Sequence, residues 1–371
     1  MVTMMRFMSG STLVCNPATR RLCTLLTQWP RQAIVSWLRQ QVSPLQALQS
    51  TAQPQVHAKR KKQVSAFAQE ARLPAFFGSA DFAAVGLFDE SDPAPLKNIP
   101  YPPLVLFCVG NLSALKDCCV AVVGARKCTT AGRTLANTMA TELAASGLTI
   151  VSGLALGIDA AAHRGALSAN AGRTVAVLGA GFAHLYPRHH RRLAMSILPA
   201  GGLLVSEYPS AMPPRPYQFP ERNRLISGLS ELTLLVEAGE QSGSLITARL
   251  ALEQGRDVCA VPGSALSPQS AGCHRLIRQG AALVTNAQEV AEEMGWELAP
   301  QPSQLAASDS AALELGTGAT AVLAVLGAEP RQLDEISVLA ALDPQQVSQS
   351  LVELQLCGFV RYGPDGYIRV L

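Results

Sequence analysis

Acidic residues are absent from the first 69 positions of this 371-residue chain, and the whole sequence is poor in aromatics (5%) and in charge (15%). The acid-free stretch includes RFMSGSTLVCNPATRRLCTLLTQWPRQ and the run KRKK at 59–62, an Arg- and Ser-rich composition shared with organellar transit peptides. The same composition describes a start called too early or a basic arm, and the chain is read here as one of these. No clean apolar core precedes a small-residue cleavage site, which argues against a secretory signal. Long apolar runs are also missing. Stretches such as 202–206 and 232–236 fall far short of the span a bilayer requires, so no membrane partner is expected. The nine cysteines contain no Cys-x-x-Cys pair, are odd in number, and often sit in apolar runs such as CCVAVV. They read as reduced, packed thiols of a cytoplasmic protein, with neither a disulfide framework nor a metal site.

What is present is an apolar majority, 48% of residues, enough for a substantial core in two or three domains. Charge is unevenly spread. Residues 1–100 hold 11 Lys+Arg against 5 Asp+Glu, residues 101–296 hold 16 against 13, and residues 297–371 hold 3 against 9. A polyanion partner suits the front or middle, and a different partner suits the tail.

Short β-branched runs recur at 118–123, 148–152, 174–178, 202–206, 232–237, 257–261 and 282–285, separated by Ala/Leu-rich helical stretches such as 131–145 and 244–255. Continuous apolar strands alternating with helices imply a doubly wound, mostly parallel α/β sheet covered on both faces. In such a sheet ligands bind beyond the carboxyl ends of the strands, where loops enter helix N-termini. Those loops are GARKCTTAG (124–132), SGLALGIDAAAH (152–163), GAGFAHLYPRHHRR (179–192), EYP (207–209) leading to FPERNR (219–224), and EAGEQSGSLIT (237–247). Glycines let backbone amides approach a phosphate, and a helix start favours an anion. Gly153 and Gly157 frame one such turn; Ser242, Gly243 and Ser244 form another, with Thr247 one turn further in. Each turn alone can be only a turn or a cap. Several converging on one sheet edge, with arginines among them, point to a phosphorylated ligand.

Two enzyme readings compete. A dinucleotide site is disfavoured because Gly124-Ala125-Arg126 lacks the second glycine of G-x-G-x-x-G, and the second strand ends at Ser152 rather than at a carboxylate. No cofactor is expected. A hydrolase would draw on Asp159 and His163, four apart on one helix face, and on Glu207 and Glu237 at strand ends. The alternative adopted is structural: Asp159 caps a helix and hydrogen-bonds His163, while the two glutamates orient arginines. No activated nucleophile stands out.

The motifs VAVVGAR (120–126), SGLALGIDAAAH (152–163), LYP (185–187), SEYP (206–209), FPERNRLISGLS (219–230), SGSLITARLALEQGRDV (242–258), VPGS (261–264) and LIRQGA (276–281) together resemble the DNA-processing protein A family, DprA or Smf. The resemblance also takes in IPYPPLVLFCVGN (99–111) and continues to the chain end. It implies an extended Rossmann-like unit that binds single-stranded DNA without cutting it, dimerises, and loads RecA during natural transformation. Carried over by residue, the DNA-phosphate pocket would comprise Arg126, Ser152, Gly153, Gly157, Arg188, Phe219, Arg222, Asn223, Arg224, Ser242, Gly243, Ser244 and Thr247. Arginine forks suit phosphate oxygens, and Phe219 is either a stacking platform or a core wedge. Arg222 and Arg224 lie two apart at a helix start, so their side chains diverge by about 200°. One is expected to face the ligand and the other to be held by Glu207 or Glu237.

The family's usual Asn is replaced by His274, and residues 1–75 lack its frequent helical N-terminal domain. Expected boundaries are a basic N-terminal region at 1–98, the Rossmann-like domain at 99–296, a linker at 297–316, and a winged-helix-like domain at 317–371. In the last, Asp343-Pro344 starts the third helix and FVRYGPDGYIRV forms a hairpin. Its helix 345–356 has no Lys or Arg, although Gln345, Gln346 and Gln349 are present, so protein docking or dimer modulation suits it better than major-groove reading. Taken together, the chain reads as a non-enzymatic, sequence-independent single-strand DNA binder that mediates recombination. The alternatives are a nucleoside-monophosphate hydrolase on the same sheet and a nucleotide-sensing winged-helix regulator.

Overall fold

The computed structural model describes residues 4–6, 12–14, 73–86, 92–298, 316–327, 330–356, 359–363 and 366–369. The chain divides into two compact units, Met1–Ala299 and Pro300–Leu371.

The first unit is built on one eleven-stranded sheet. Seven strands run parallel: β5 (Cys119–Val123), β6 (Thr149–Ser152), β7 (Thr174–Leu178), β8 (Leu203–Ser206), β9 (Leu232–Leu235), β10 (Asp257–Ala260) and β11 (Ala282–Leu283). They match the seven apolar runs of the sequence. Their order is β8-β7-β6-β5-β9-β10-β11. The chain therefore winds from β5 outward to β8, crosses back, and resumes at β9 on the other side of β5. Connections leave β5 and β9 toward opposite sides, which opens a crevice at their carboxyl ends.

Four strands precede these: β1 (Met4–Arg6), β2 (Thr12–Val14), β3 (Phe82–Gly86) and β4 (Val105–Gly110). The last two join antiparallel to each other and, through β4, to β8. The sheet thus begins upstream of residue 99, and the expected boundary there is too late. Antiparallel edge strands come without the crossover helices whose alternation with strands marks a parallel sheet.

Helices cover both faces. They are α1 (Ala94–Lys97), α2 (Thr130–Ala145), α3 (Ile158–Ser168), α4 (Arg191–Ile197), α5 (Gln218–Leu229), α6 (Ser244–Glu253), α7 (Ala271–Arg278) and α8 (Ala287–Met294). Alternation in β5 shows how one strand serves both layers. Val120 and Val122 pack with Met139 and Leu143 of α2, whereas Cys119, Ala121 and Val123 pack in the cluster that holds Leu225 and Leu229 of α5. Cys108, Cys119, Cys259 and Cys273 are buried free thiols, and burial holds the Cys273 thiol up at about 11. Among the described residues no helix is long and apolar enough to cross a membrane, and no cluster of three His, Cys, Asp or Glu is placed to hold a metal ion.

The second unit contains α9 (Thr317–Val325), α10 (Leu333–Ala340), α11 (Pro344–Leu356) and the antiparallel pair β12 (Val360–Gly363) and β13 (Gly366–Arg369) around their own core of Val322, Ile336, Val347, Leu351 and Leu354. This is the expected three helices and hairpin of a winged helix. Asp343 Oδ1 accepts from the Gln346 amide (2.9 Å), capping α11 where Pro344 opens it. The Pro-Asp part of the hairpin turn, 364–365, lies outside the described residues.

Candidate phosphate-binding cleft

A cleft of about 840 Å³ sits at the crevice between the β5 and β9 loops. Eight of the thirteen residues singled out from the sequence line it: Arg126, Phe219, Arg222, Asn223, Ser242, Gly243, Ser244 and Thr247. Its rim is open. Arg126 and Lys127 are exposed on the β5 loop, and Gly243 is exposed at the start of α6. Gly243 precedes α6 with no side chain to cap it; Ser242 Oγ accepts the Ser244 amide (3.4 Å), and Ser242 O and Gly243 O accept those of Leu245 (3.1 Å) and Ile246 (3.2 Å), so this helix start offers the cleft its dipole rather than free amides. Ser242 and Ser244 share a hydroxyl–hydroxyl bond (2.7 Å), and Asn223 Nδ2 donates to Gly243 O (3.4 Å), which ties α5 to this turn.

Phe219 packs on one side and faces the cleft on the other. It is half-buried, contacts Tyr186 (ring centroids 5.4 Å apart), and lies so close to Gly179 that a Cβ there would sit 2.8 Å from the ring. Its cleft side lies 5.8 Å from the Arg126 guanidinium.

The floor is closed, and its side chains are bonded inward. Arg222 is only 4% exposed. Its Nη1 donates to the carbonyls of Val177 and of Gly153 (2.7 Å for the latter), while Nε is buried without a partner. Burial lowers its pKa to about 10, opposed by the nearby Asp159 carboxylate. Asp159 accepts the amides of Gly153 (3.1 Å) and Ala155 (3.3 Å); burial pushes its pKa up, against Arg222 and those amides. A Cβ on Gly153 would come within 2.4 Å of Arg222 Nη1. At Gly157, φ is +75° and a Cβ would meet Ala125 O at 2.2 Å. The Ser152–Gly157 turn thus supports the cleft from beneath, with Ala155 in its lining and Ser152 Oγ donating to Val122 O (2.7 Å). Ser152, Gly153 and Gly157 do not line it.

The carboxylate and histidine roles need correction. His163 does not bond Asp159. Its Nε2 accepts the Leu154 amide (3.3 Å), and its Nδ1 meets Thr174 Oγ1 (2.7 Å), which itself donates to Ile150 O (2.6 Å). That chain fixes the proton on Nδ1, and burial lowers the imidazole to about 3. Two side chains four apart on one helix face were expected to meet; instead Asp159 turns to the loop amides, the stronger need at a helix start. His190 Nδ1 holds Leu154 O from the other side (2.9 Å), so two imidazoles clamp a leucine at φ +57°. Glu237 holds no arginine: its oxygens accept the Thr129 amide (2.8 Å) and hydroxyl (2.5 Å), joining the β5 and β9 loops. Glu207 does hold one, Arg224, at 2.6 Å with both side chains about 10% exposed. Arg224 is therefore the restrained member of the pair. Arg222 lines the cleft, but from below rather than as a free fork.

Arg188 is exposed and lies elsewhere, in a neighbouring cleft of about 310 Å³ with Tyr186 and Arg191. Arg191 and Lys127 were not singled out from the sequence, although both stand in the loops that were.

An exposed arginine, a helix start and a half-buried aromatic ring meet at the switch point of a doubly wound sheet, so the chain is an α/β protein with a candidate ligand cleft at that edge. Comparison with known proteins agrees with that class. Residues 83–295 match the family DNA recombination-mediator protein A, and residues 306–366 match the DprA winged helix domain. Protein Smf of Escherichia coli is 43% identical over 283 residues, 75% of this chain and 74% of that protein. The DNA processing protein DprA of Bacillus subtilis is 41% identical over 60% of this chain and 75% of its own. The crystal structure of DprA from Streptococcus pneumoniae superposes with a TM-score of 0.60 at 36% identity, covering 76% of this chain and 96% of that one. A Helicobacter pylori DprA structure, described for its single-stranded DNA binding mode, superposes at 0.52 with 30% identity over 57% and 95%. The chain belongs to the DprA/Smf family of DNA recombination-mediator proteins.

Proposed function

We propose that this protein binds single-stranded DNA through its phosphodiester backbone, without sequence preference, in the cleft between the β5 and β9 loops. The observation that carries the reading is the pairing of exposed Arg126 with the α6 N-terminus and its Ser242–Ser244 hydroxyl turn across a cleft walled by the Phe219 ring. Arginine and serine hydroxyls take phosphate oxygens, a helix N-terminus favours the anion, and a ring face takes any base. The Helicobacter relative's single-strand binding supports it. Acting in the cytoplasm as a homodimer that protects incoming DNA and loads RecA in natural transformation is the family role we extend to this chain. The domain plan we propose is a DNA-binding α/β unit followed by a linker and a protein-docking winged helix.

A hydrolase on the same sheet is the weaker reading. His163 is neutral with both ring nitrogens engaged, and Asp159 and Glu237 are each committed to loop amides. None is free to activate water. The test is a titration of oligonucleotides of differing sequence, single- and double-stranded, across a salt series. Single strands should bind alike, with a log–log slope of about −0.7 per phosphate neutralised. Arg126→Ala should weaken binding by about 1.5–3 kcal/mol with an unchanged melting curve. Preference for duplex, or release of free base from a nucleoside monophosphate by the purified protein, would sink the reading.

A further inference from the structure

Beyond the Phe219 ring lies a second cleft that the family comparison does not cover in full. One wall is Phe76, in a short turn upstream of the matched residues 83–295. The opposite wall is Tyr186, 48% exposed, whose other contact is Phe219 of the central cleft. Between them stand Arg188 and Arg191, both exposed. The Arg191 guanidinium lies over the Phe76 ring, its central carbon 3.6 Å from the ring centroid. A stacked guanidinium keeps its N–H edges free for phosphate oxygens, and stacking holds it in place without an acidic partner. Among the described residues, no acidic side chain lines this cleft.

Arg126, Phe219, Tyr186, Phe76 and Arg191 thus form one row, each linked to the next through a ring contact or a shared cleft. At about 310 Å³ the second cleft is at the small end for a ligand pocket. Cations beside rings at this size suit one base and its phosphate. We infer that this cleft is a second nucleotide subsite, which takes the strand as it leaves the central cleft past Tyr186. The inference rests on the single-strand reading above. It gives the segment around Phe76 a direct part in binding.

The experiment titrates oligothymidylates of increasing length against the full chain, Arg191→Ala, Phe76→Leu and Arg126→Ala, with melting curves on each. Wild-type affinity should rise with length and level off. Arg191→Ala should match wild type on the shortest oligonucleotides, then fall about tenfold behind on long ones. Its salt slope should be shallower by about 0.7, the loss of one phosphate contact. Phe76→Leu keeps apolar bulk under the turn and should show a length-dependent loss with little change in slope, because stacking is not ionic. If both variants follow wild type at every length while Arg126→Ala is impaired, the strand does not run this way and the inference is overturned alone. If Arg126→Ala binds normally and Arg191→Ala is impaired even on the shortest strands, the central reading fails and this ordering of subsites fails with it.

Discussion

Arg222 and Arg126 both line the central cleft, yet Arg222 is 4% exposed with its guanidinium spent on two main-chain carbonyls, whereas Arg126 is exposed beside the face of Phe219. The floor and the rim therefore use one residue type for opposite ends. On the floor, charge and hydrogen bonding are turned inward: Arg222 and Asp159 neutralise each other, the two imidazoles grip Leu154, and Glu237 joins two loops. At the rim the donors are left for a ligand. A site that must accept any base gains from this division, because a fixed floor costs no ordering free energy when the strand arrives. Floor substitutions should then act on stability and rim substitutions on binding.

The largest effect expected is at Gly157. Alanine there combines φ +75° with a Cβ 2.2 Å from the Ala125 carbonyl, main chain that cannot turn aside. Gly157→Ala should cost roughly 3 kcal/mol or more, read as a shift in the urea midpoint at constant slope. A near-native midpoint would mean that the floor yields, and the comparison with the rim would lose its basis. Slightly smaller is Arg224→Ala, which removes the 2.6 Å ion pair from a Glu207 side chain only 10% exposed. A loss of about 3 kcal/mol is expected, the low end for breaking a buried pair. Melting should report it. Single-strand affinity measured well below the melting temperature should stay within a few-fold of wild type.

Sequence reasoning reached the rim more easily than the floor. The seven parallel strands and the loops at their ends were legible because apolar period and glycine–hydroxyl chemistry are local signals. Partner choice is not local. Arg222 and Arg224 look equivalent in FPERNR and both end up buried; only the partners the fold brings separate the one held by Glu207 from the one bonded to Gly153 and Val177 beneath the cleft. Glu237 reads as an arginine partner until the fold brings Thr129, 108 positions earlier, to its oxygens. Arg188 stood in the right loop but faces the second cleft, since β7 lies two strands from β5 in the sheet. Strands β3 and β4 were not picked out because, among the described residues, only the four-residue α1 lies between them, too short to mark the strand–helix alternation of a parallel sheet.

The floor also predicts a pH dependence. His163 is held neutral with its pKa lowered to about 3 from 6.5, so between those values the unfolded chain binds a proton that the folded chain refuses. Stability contributed by the neutral ring is complete above about pH 6.5 and is lost as pH falls toward 3. Lowering pH from 7 to 5 should cost about 2 kcal/mol from this residue. Unfolding of wild type and His163→Gln at both pH values gives the check, since the difference between their pH responses removes every other titrating group. Equal responses would show the ring to be protonated or released in the fold.

The smallest effect tests whether the rim is sufficient. Residues 317–371 carry 3 Lys+Arg against 6 Asp+Glu, and α11 has Gln345, Gln346 and Gln349 exposed but no cation. The winged-helix core of Val322, Ile336, Val347 and Leu351 is its own, with no residue in common with the clusters that pack the sheet. Ending the chain near Gly316 should therefore leave the α/β unit folded. It also removes net negative charge, which repels a polyanion at low salt. Single-strand affinity should be unchanged or slightly tighter, with the same salt slope, because no phosphate contact of the rim is lost. Loss of binding by a truncated protein that still melts like the full chain would move part of the site into the winged helix. The exposed glutamines of α11 would then be the first residues to substitute.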